Sequence, residues 1–299
     1  MAEGRDEARV TPSARRAELL EYARRQAAAR RPVDLVDQWT RDSTVRPSAV
    51  DLRESTALDA VALSAAPDYD ALLLSPVAPL GTSSVVAPTS QDRTLSTVRP
   101  TEVVSDPTNV LALEAASRLR RQPGAHVRVC TLHQVLRMQP VADGPGRTRH
   151  FRLFALADAG GGLPDDGFEV EAVTAQLGVY RRVLDTVARD QGMSWSRAVA
   201  IVRTDGSMPA IAARVAAALM RTQPDLEVRH EDMESSYYQG LRVGFGVHDQ
   251  SGQFHEWGDL GCFDWVARLT GNRRQRFVAS ALGIQLLPWL RTVSSAPSR

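Results

Sequence analysis

Val173, Leu177, Tyr180, Leu184 and Val187 recur at alternating steps of four and three, the spacing of one buried helix face. A second helix is expected over 108–121, with Val110, Leu111, Leu113 and Ala115 as its apolar positions. Near the start, residues 1–10 are polar and expected to fray. Thr11 followed by Pro12 is then a helix-start signal, and the Ala- and Arg-rich stretch after it predicts a helix to about Arg31. Residues 32–47, closed at both ends by proline, predict a linker, and an amphipathic helix follows over 50–65. Short apolar runs bounded by turn residues predict strands at 70–76, 127–132, 134–138, 150–157, 198–202, 227–230, 240–248 and 254–258. Residues 77–88, broken by Pro79, Gly81 and Pro88, predict a loop-rich β segment. The strands at 134–138 and 150–157 flank a Gly- and Pro-rich loop and predict a long hairpin. Gly160 to Pro164 predicts a flexible connection. Ser207 is placed to cap an Ala-rich helix through Met220, and a last helix is expected at 283–290.

The order is helices first, then mainly antiparallel strands with inserted helices, which predicts an α+β fold, an antiparallel sheet flanked by helices. At 299 residues the chain is long enough for one main core. The expected division is an Arg-rich helical extension and linker over 1–48 and the core over 49–299. Lys+Arg of 36 against Asp+Glu of 35 removes any global electrostatic reason to hold nucleic acid. The arginines of the first helix (Arg15, Arg16, Arg24, Arg25, Arg30, Arg31) leave open a local RNA- or partner-binding face beside the simpler reading of a solvated one. Cys130 and Cys262 form no CxxC pair, so neither a disulfide framework nor a zinc site is expected. The six histidines show no helical metal spacing, and no metal is assigned. With no apolar leader and no run of membrane-spanning length, the expected location is cytoplasmic.

Three stretches, in order, resemble the segments that build the active site of class II aminoacyl-tRNA synthetases, closest to the histidyl branch. Val104-Ser-Asp-Pro-Thr-Asn-Val110 is similar to the segment whose acid and threonine hold the substrate ammonium, which puts Asp106 and Thr108 in that role. One carboxylate and one hydroxyl suit an amino group, although both residue types also favour a plain helix cap. Val135-Leu-Arg-Met-Gln139, then Gly146-Arg-Thr-Arg-His-Phe151, resembles motif 2. Arg137 takes the place of the arginine that clamps the α-phosphate and carboxylate, a geometry suited to a guanidinium fork. The resemblance implies ATP-binding roles for Gln139, Arg147 and Arg149 as well. Arg137 on an exposed hairpin face is the plainer alternative. Tyr238-Gln-Gly-Leu-Arg-Val-Gly-Phe-Gly246, Gly261-Cys-Phe-Asp264 and 281–286 are similar to the remaining histidyl pattern and the closing motif 3 strand and helix. Tyr238 is the substrate-binding position there, and a wall role for Tyr237 and Tyr238 is the structural alternative. The resemblance covers about residues 66–290.

Departures from that pattern bear on function. The motif 2 glutamate is Gln139, the return-strand glutamine is Leu153, and the following glutamate falls at Ala157. The histidyl branch's catalytic arginine falls at Gln239, and the motif 3 arginine that reaches the γ-phosphate falls at Leu286. Arg242, Arg273, Arg274 and Arg276 are nearby replacements. The chain ends soon after the motif 3 position, so no anticodon-binding domain is expected. The resemblance therefore implies a paralogue that binds an amino acid or nucleotide and serves as a regulatory or accessory subunit, as in the regulatory subunit of ATP phosphoribosyltransferase. The alternative is a ligase that uses ATP with Mg to activate an amino acid for a non-tRNA acceptor. A homodimer and an enzyme partner are the implied assemblies. Arg137 is expected to serve the ligand and make few contacts of its own.

Overall fold

Three neighbouring strands alternate large apolar residues with small or charged ones, and this alternation positions everything that follows. The computed structural model describes residues 11–140, 148–191, 194–206 and 208–289. Its helices are α1 (Pro12–Ala28), α2 (Pro32–Arg41), α3 (Leu52–Ala65), α4 (Pro107–Arg121), α5 (Gly167–Gln191), α6 (Pro209–Thr222) and α7 (Trp265–Thr270). The strands are β1 (Asp70–Ala71), β2 (Val77–Pro79), β3 (Thr101–Val103), β4 (Val127–Leu136) and β5 (His150–Gly161). They continue with β6 (Arg197–Thr204), β7 (Glu227–Asp232), β8 (Leu241–His248), β9 (Phe254–Phe263) and β10 (Gln275–Leu282). Eight of them form one sheet in the order β1-β4-β5-β10-β9-β8-β6-β7, while β2 and β3 pair separately. Every pairing from β4 to β6 is antiparallel, and only the edge pairs β1–β4 and β6–β7 are parallel. The α+β expectation stands, with a mixed sheet.

Leu241, Val243 and Phe245 of β8, Leu260 of β9 and Val278 and Leu282 of β10 join α3, α5 and α6 in the larger core. The helical stripe Val173, Leu177, Tyr180, Leu184 and Val187 lies in that same core. On the opposite face α4 and α7 cover only part of the sheet, through Leu111, Ala115, Trp265 and Phe277 among others. Beyond the end of α4 this face carries Ala279, Ala281, Gly261 and Gly244, which leave room above the sheet.

Several expectations need correcting. The segment expected as a linker contains α2, whose Arg31 and Asp34 close a capping box around Pro32. Gly160 and Gly161 end β5 rather than forming a free connection, and β4 is one strand where two were expected. The strand at 70–76 shrinks to two residues, and the final helix is a 3-10 turn over Ile284–Trp289. Strand β10 and helix α7 had not been expected as separate elements. Ser207 and Leu290 lie outside the described residues. Thr11 does cap α1, its Oγ1 accepting from the Ala14 amide at 3.2 Å. Among the described residues no helix is long and apolar enough to cross a membrane.

His133 on β4 supplies a pH test of the core. It is buried, its Nε2 has no hydrogen-bond partner among the described residues, and burial first, then Arg152, lowers its pKa. The unfolded chain therefore binds this proton more readily, so stability is present above the ordinary histidine range, about 6.5, and is lost on acidification. The melting temperature is expected to fall between about pH 7.5 and about pH 5.5, and to fall less in His133→Leu.

Candidate functional site

The open part of the α4 face holds two adjoining cavities of about 390 and 290 Å3. Asp106 sits at their border as the N-cap of α4, accepting from the Thr108 amide at 3.1 Å and the Thr108 hydroxyl at 2.7 Å. The cap reading and the site reading are thus both true of one side chain, since its other oxygen faces two arginines, Arg93 and Arg137, each at 3.5 Å. Arg137 projects from the end of β4 to the same point. Its Nε donates to the Ser105 carbonyl at 3.0 Å and its guanidinium lies 4.9 Å over the Phe151 ring. The expectation of few contacts is overturned: Arg137 is tied to the protein at three places. Burial lowers its pKa, with Asp106 opposing.

The far wall comes from β8 and β9. Asp259 accepts from the Tyr238 hydroxyl and from Arg242 Nε, the latter at 3.2 Å. Arg242 also reaches Glu256 at 2.5 Å, and Arg203 reaches the same carboxylate at 3.4 Å. Burial works against the Arg242 charge, but Asp259, Tyr238 and Glu256 together raise its pKa. Burial first, then Asp259, pushes the Tyr238 hydroxyl well above the ordinary tyrosine range, which keeps it a donor. Glycine makes this layer possible. A Cβ on Gly261 would stand 2.2 Å from the Tyr238 ring, and one on Gly244 would stand 2.7 Å from Arg203. Tyr237 completes the wall, edge-on to Tyr238, Phe263 and Trp265 at 5.1–5.6 Å.

Of the residues singled out in the sequence, Asp106, Thr108, Arg137 and Tyr238 converge here. Gln139 is exposed and lines neither cavity. Arg149 also stays away from both, and bears on Asp42, whose carboxyl is held down to about 2 by Thr44 first and by Arg149 last. Arg147 lies outside the described residues. Arg93, Glu256 and Asp259 line the site without having been foreseen. Among the residues at the departures, Leu153 and Leu286 wall the larger cavity, and Gln239 lines neither.

The lining residues do not fit ATP with Mg. Arg93, Arg137 and Arg242 meet three lining carboxylates, Asp106, Glu256 and Asp259. An anionic triphosphate complex would find no surplus positive charge among the described residues. Phe151, Leu153, Trp257 and Leu286 make the larger cavity apolar. Among the described residues no group of three or more His, Cys, Asp or Glu side chains is placed to share a metal ion.

A mainly antiparallel sheet with flanking helices and this open face is the catalytic-core fold of the class II aminoacyl-tRNA synthetases. A histidine–tRNA ligase subunit from Alicyclobacillus acidocaldarius is similar at a TM-score of 0.62, with 12% identity over 86% of this chain and 98% of that one. An ATP phosphoribosyltransferase regulatory subunit/histidyl-tRNA synthetase from Bacillus halodurans gives 0.60, with 13% identity over 82% of each chain. The apo histidyl-tRNA synthetase of S. aureus gives 0.57 at 11% identity, over 82% of this chain and 66% of that enzyme. No family model and no curated protein matches the chain. At these identities the likeness is one of fold, and function has to be argued from the site.

Proposed function

We propose that this chain binds an amino acid without activating it and acts as a regulatory or accessory subunit. The observation that carries this reading is the pairing of the three lining arginines with three carboxylates, beside an apolar wall at Leu286. A zwitterion suits such a charge-balanced site, with carboxylates for its ammonium and guanidinium donors for its carboxylate. The ligase alternative needs a triphosphate site, for which these residues offer little. The similar structure from Bacillus halodurans bears the name of a regulatory subunit, which supports an enzyme as the partner here. A second copy of this chain is the other proposed partner. Leu73 is 99% exposed and Val85 72% exposed on the segment between β1 and α4, where a second copy would cover them.

The test is a thermal-shift screen of the twenty amino acids and of ATP with Mg. A ligand at a hundred times its Kd adds about 2.7 kcal/mol to the native state. At least one amino acid is expected to raise the melting temperature and ATP is expected to leave it unchanged. A shift with ATP and with no amino acid would overturn the reading. Light scattering at twice 32.6 kDa would support the homodimer, and a clean monomer would count against it.

A further inference from the structure

The site has two unlike lobes, and their junction is acidic. Asp106, Asp259 and Ala281 line both. On one side lie Arg93 and Arg242, and the buried Arg93 Nε has no hydrogen-bond partner among the described residues. On the other side the lobe of about 390 Å3 is walled by Phe151, Leu153, Trp257 and Leu286.

An α-amino acid carries three unlike groups on one carbon, and this site offers three unlike surroundings at one point. The ammonium suits the junction carboxylates, and the carboxylate suits Arg93 and Arg242. The side chain is then left to the apolar lobe. We propose that the ligand is an amino acid with a large aromatic side chain, the ring packing against Phe151, Leu153, Trp257 and Leu286. This rests on the amino-acid reading above and narrows it. A charged side chain, or one whose polar atoms need partners, loses hydration in this lobe without compensation. An aromatic ring gains from burial and from edge or offset contacts with Phe151 and Trp257. About 100 Å2 of newly buried ring surface corresponds to a tightening on the order of fifty- to a hundredfold.

Isothermal calorimetry on the full chain with L-tryptophan, L-phenylalanine, L-alanine and L-histidine tests this. Tryptophan or phenylalanine is expected to bind at least about tenfold tighter than alanine or histidine. Leu286→Arg places a charge in the lobe and Ala281→Leu fills it. Either variant, with its fold checked by circular dichroism, should erase the aromatic advantage and leave alanine binding within about twofold. Equal affinities for tryptophan and alanine, or histidine as the tightest of the four, overturn the inference and leave the amino-acid reading standing. An aromatic advantage that survives both substitutions overturns the placement of the ring. Binding by none of the four overturns inference and reading together.

Discussion

Exchange of pyrophosphate into ATP is expected to remain at the no-enzyme background with each of the twenty amino acids, and no histidine should be transferred to tRNA. The ground is electrostatic. Adenylation builds negative charge on the transferred phosphorus, and catalysis depends on donors already aimed at it. Losing one preorganised donor typically costs about 2.7–4 kcal/mol, a factor of a hundred to a thousand in rate. The resemblance puts two arginines of this kind at Gln239 and Leu286. Gln239 is exposed and outside both cavities, and Leu286 is an apolar wall. Together the two losses amount to a factor of about ten thousand to a million. Arg242 is the one suggested replacement that lines the site, and Glu256 and Asp259 already engage it. Arg276 pairs with Glu169 instead, and neither it nor Arg273 or Arg274 lines either cavity. Amino-acid-dependent exchange above background would show that a donor has been replaced after all.

The elements most legible in the sequence were those with one buried face. The stripe from Val173 to Val187 gave α5, and the turn residues between apolar runs gave the β4–β5 hairpin. Strand β10 was harder because it runs through the middle of the sheet. Phe277, Val278, Ala279 and Ser280 are buried on both faces, so no alternation marks them. Helix α2 was hidden by its prolines and polar residues, although Val33, Val36 and Trp39 recur at steps of three. In the site, Asp106, Thr108 and Arg137 were legible because a local motif fixes them. Asp259 was within reach of the same reasoning: it precedes Leu260 on a strand that buries alternate residues, which turns it to the open face. Arg93 had no local signal, since a short 3-10 turn brings it to Asp106. Gln139 and Arg149 were placed by spacing along motif 2, but both lie beyond the last paired residues, Leu136 and His150. Regular strand alternation no longer directs their side chains there.

On the other face of the sheet, Asp158→Ala is expected to cost about 3–5 kcal/mol of stability, the range for removing one partner of a buried ion pair. The Asp158 side chain is 2% exposed and holds Arg128 at 3.1 Å and His126 at 3.4 Å. It also accepts from the Tyr69 hydroxyl at 2.8 Å and from Gln176 Nε2 at 2.7 Å. Those four partners come from the chain between α3 and β1, from β4 and its approach, and from α5, so one carboxylate ties three parts of the fold to β5. Removing it leaves a guanidinium stacked 4.5 Å from the Tyr69 ring without its carboxylate, and two buried donors with nothing to donate to. Asp158→Asn keeps one acceptor oxygen and should fall between the wild type and the alanine variant. Urea unfolding followed by circular dichroism measures the cost, with an unchanged slope showing that stability and not compactness has moved. Because Asp158 and the candidate site lie on opposite faces of the sheet, the affinity of the folded variants for their amino acid should stay that of the wild type. A change below about 1 kcal/mol for Asp158→Ala would mean that water or a shifted partner replaces the carboxylate, and that this network does not hold the hairpin to α5.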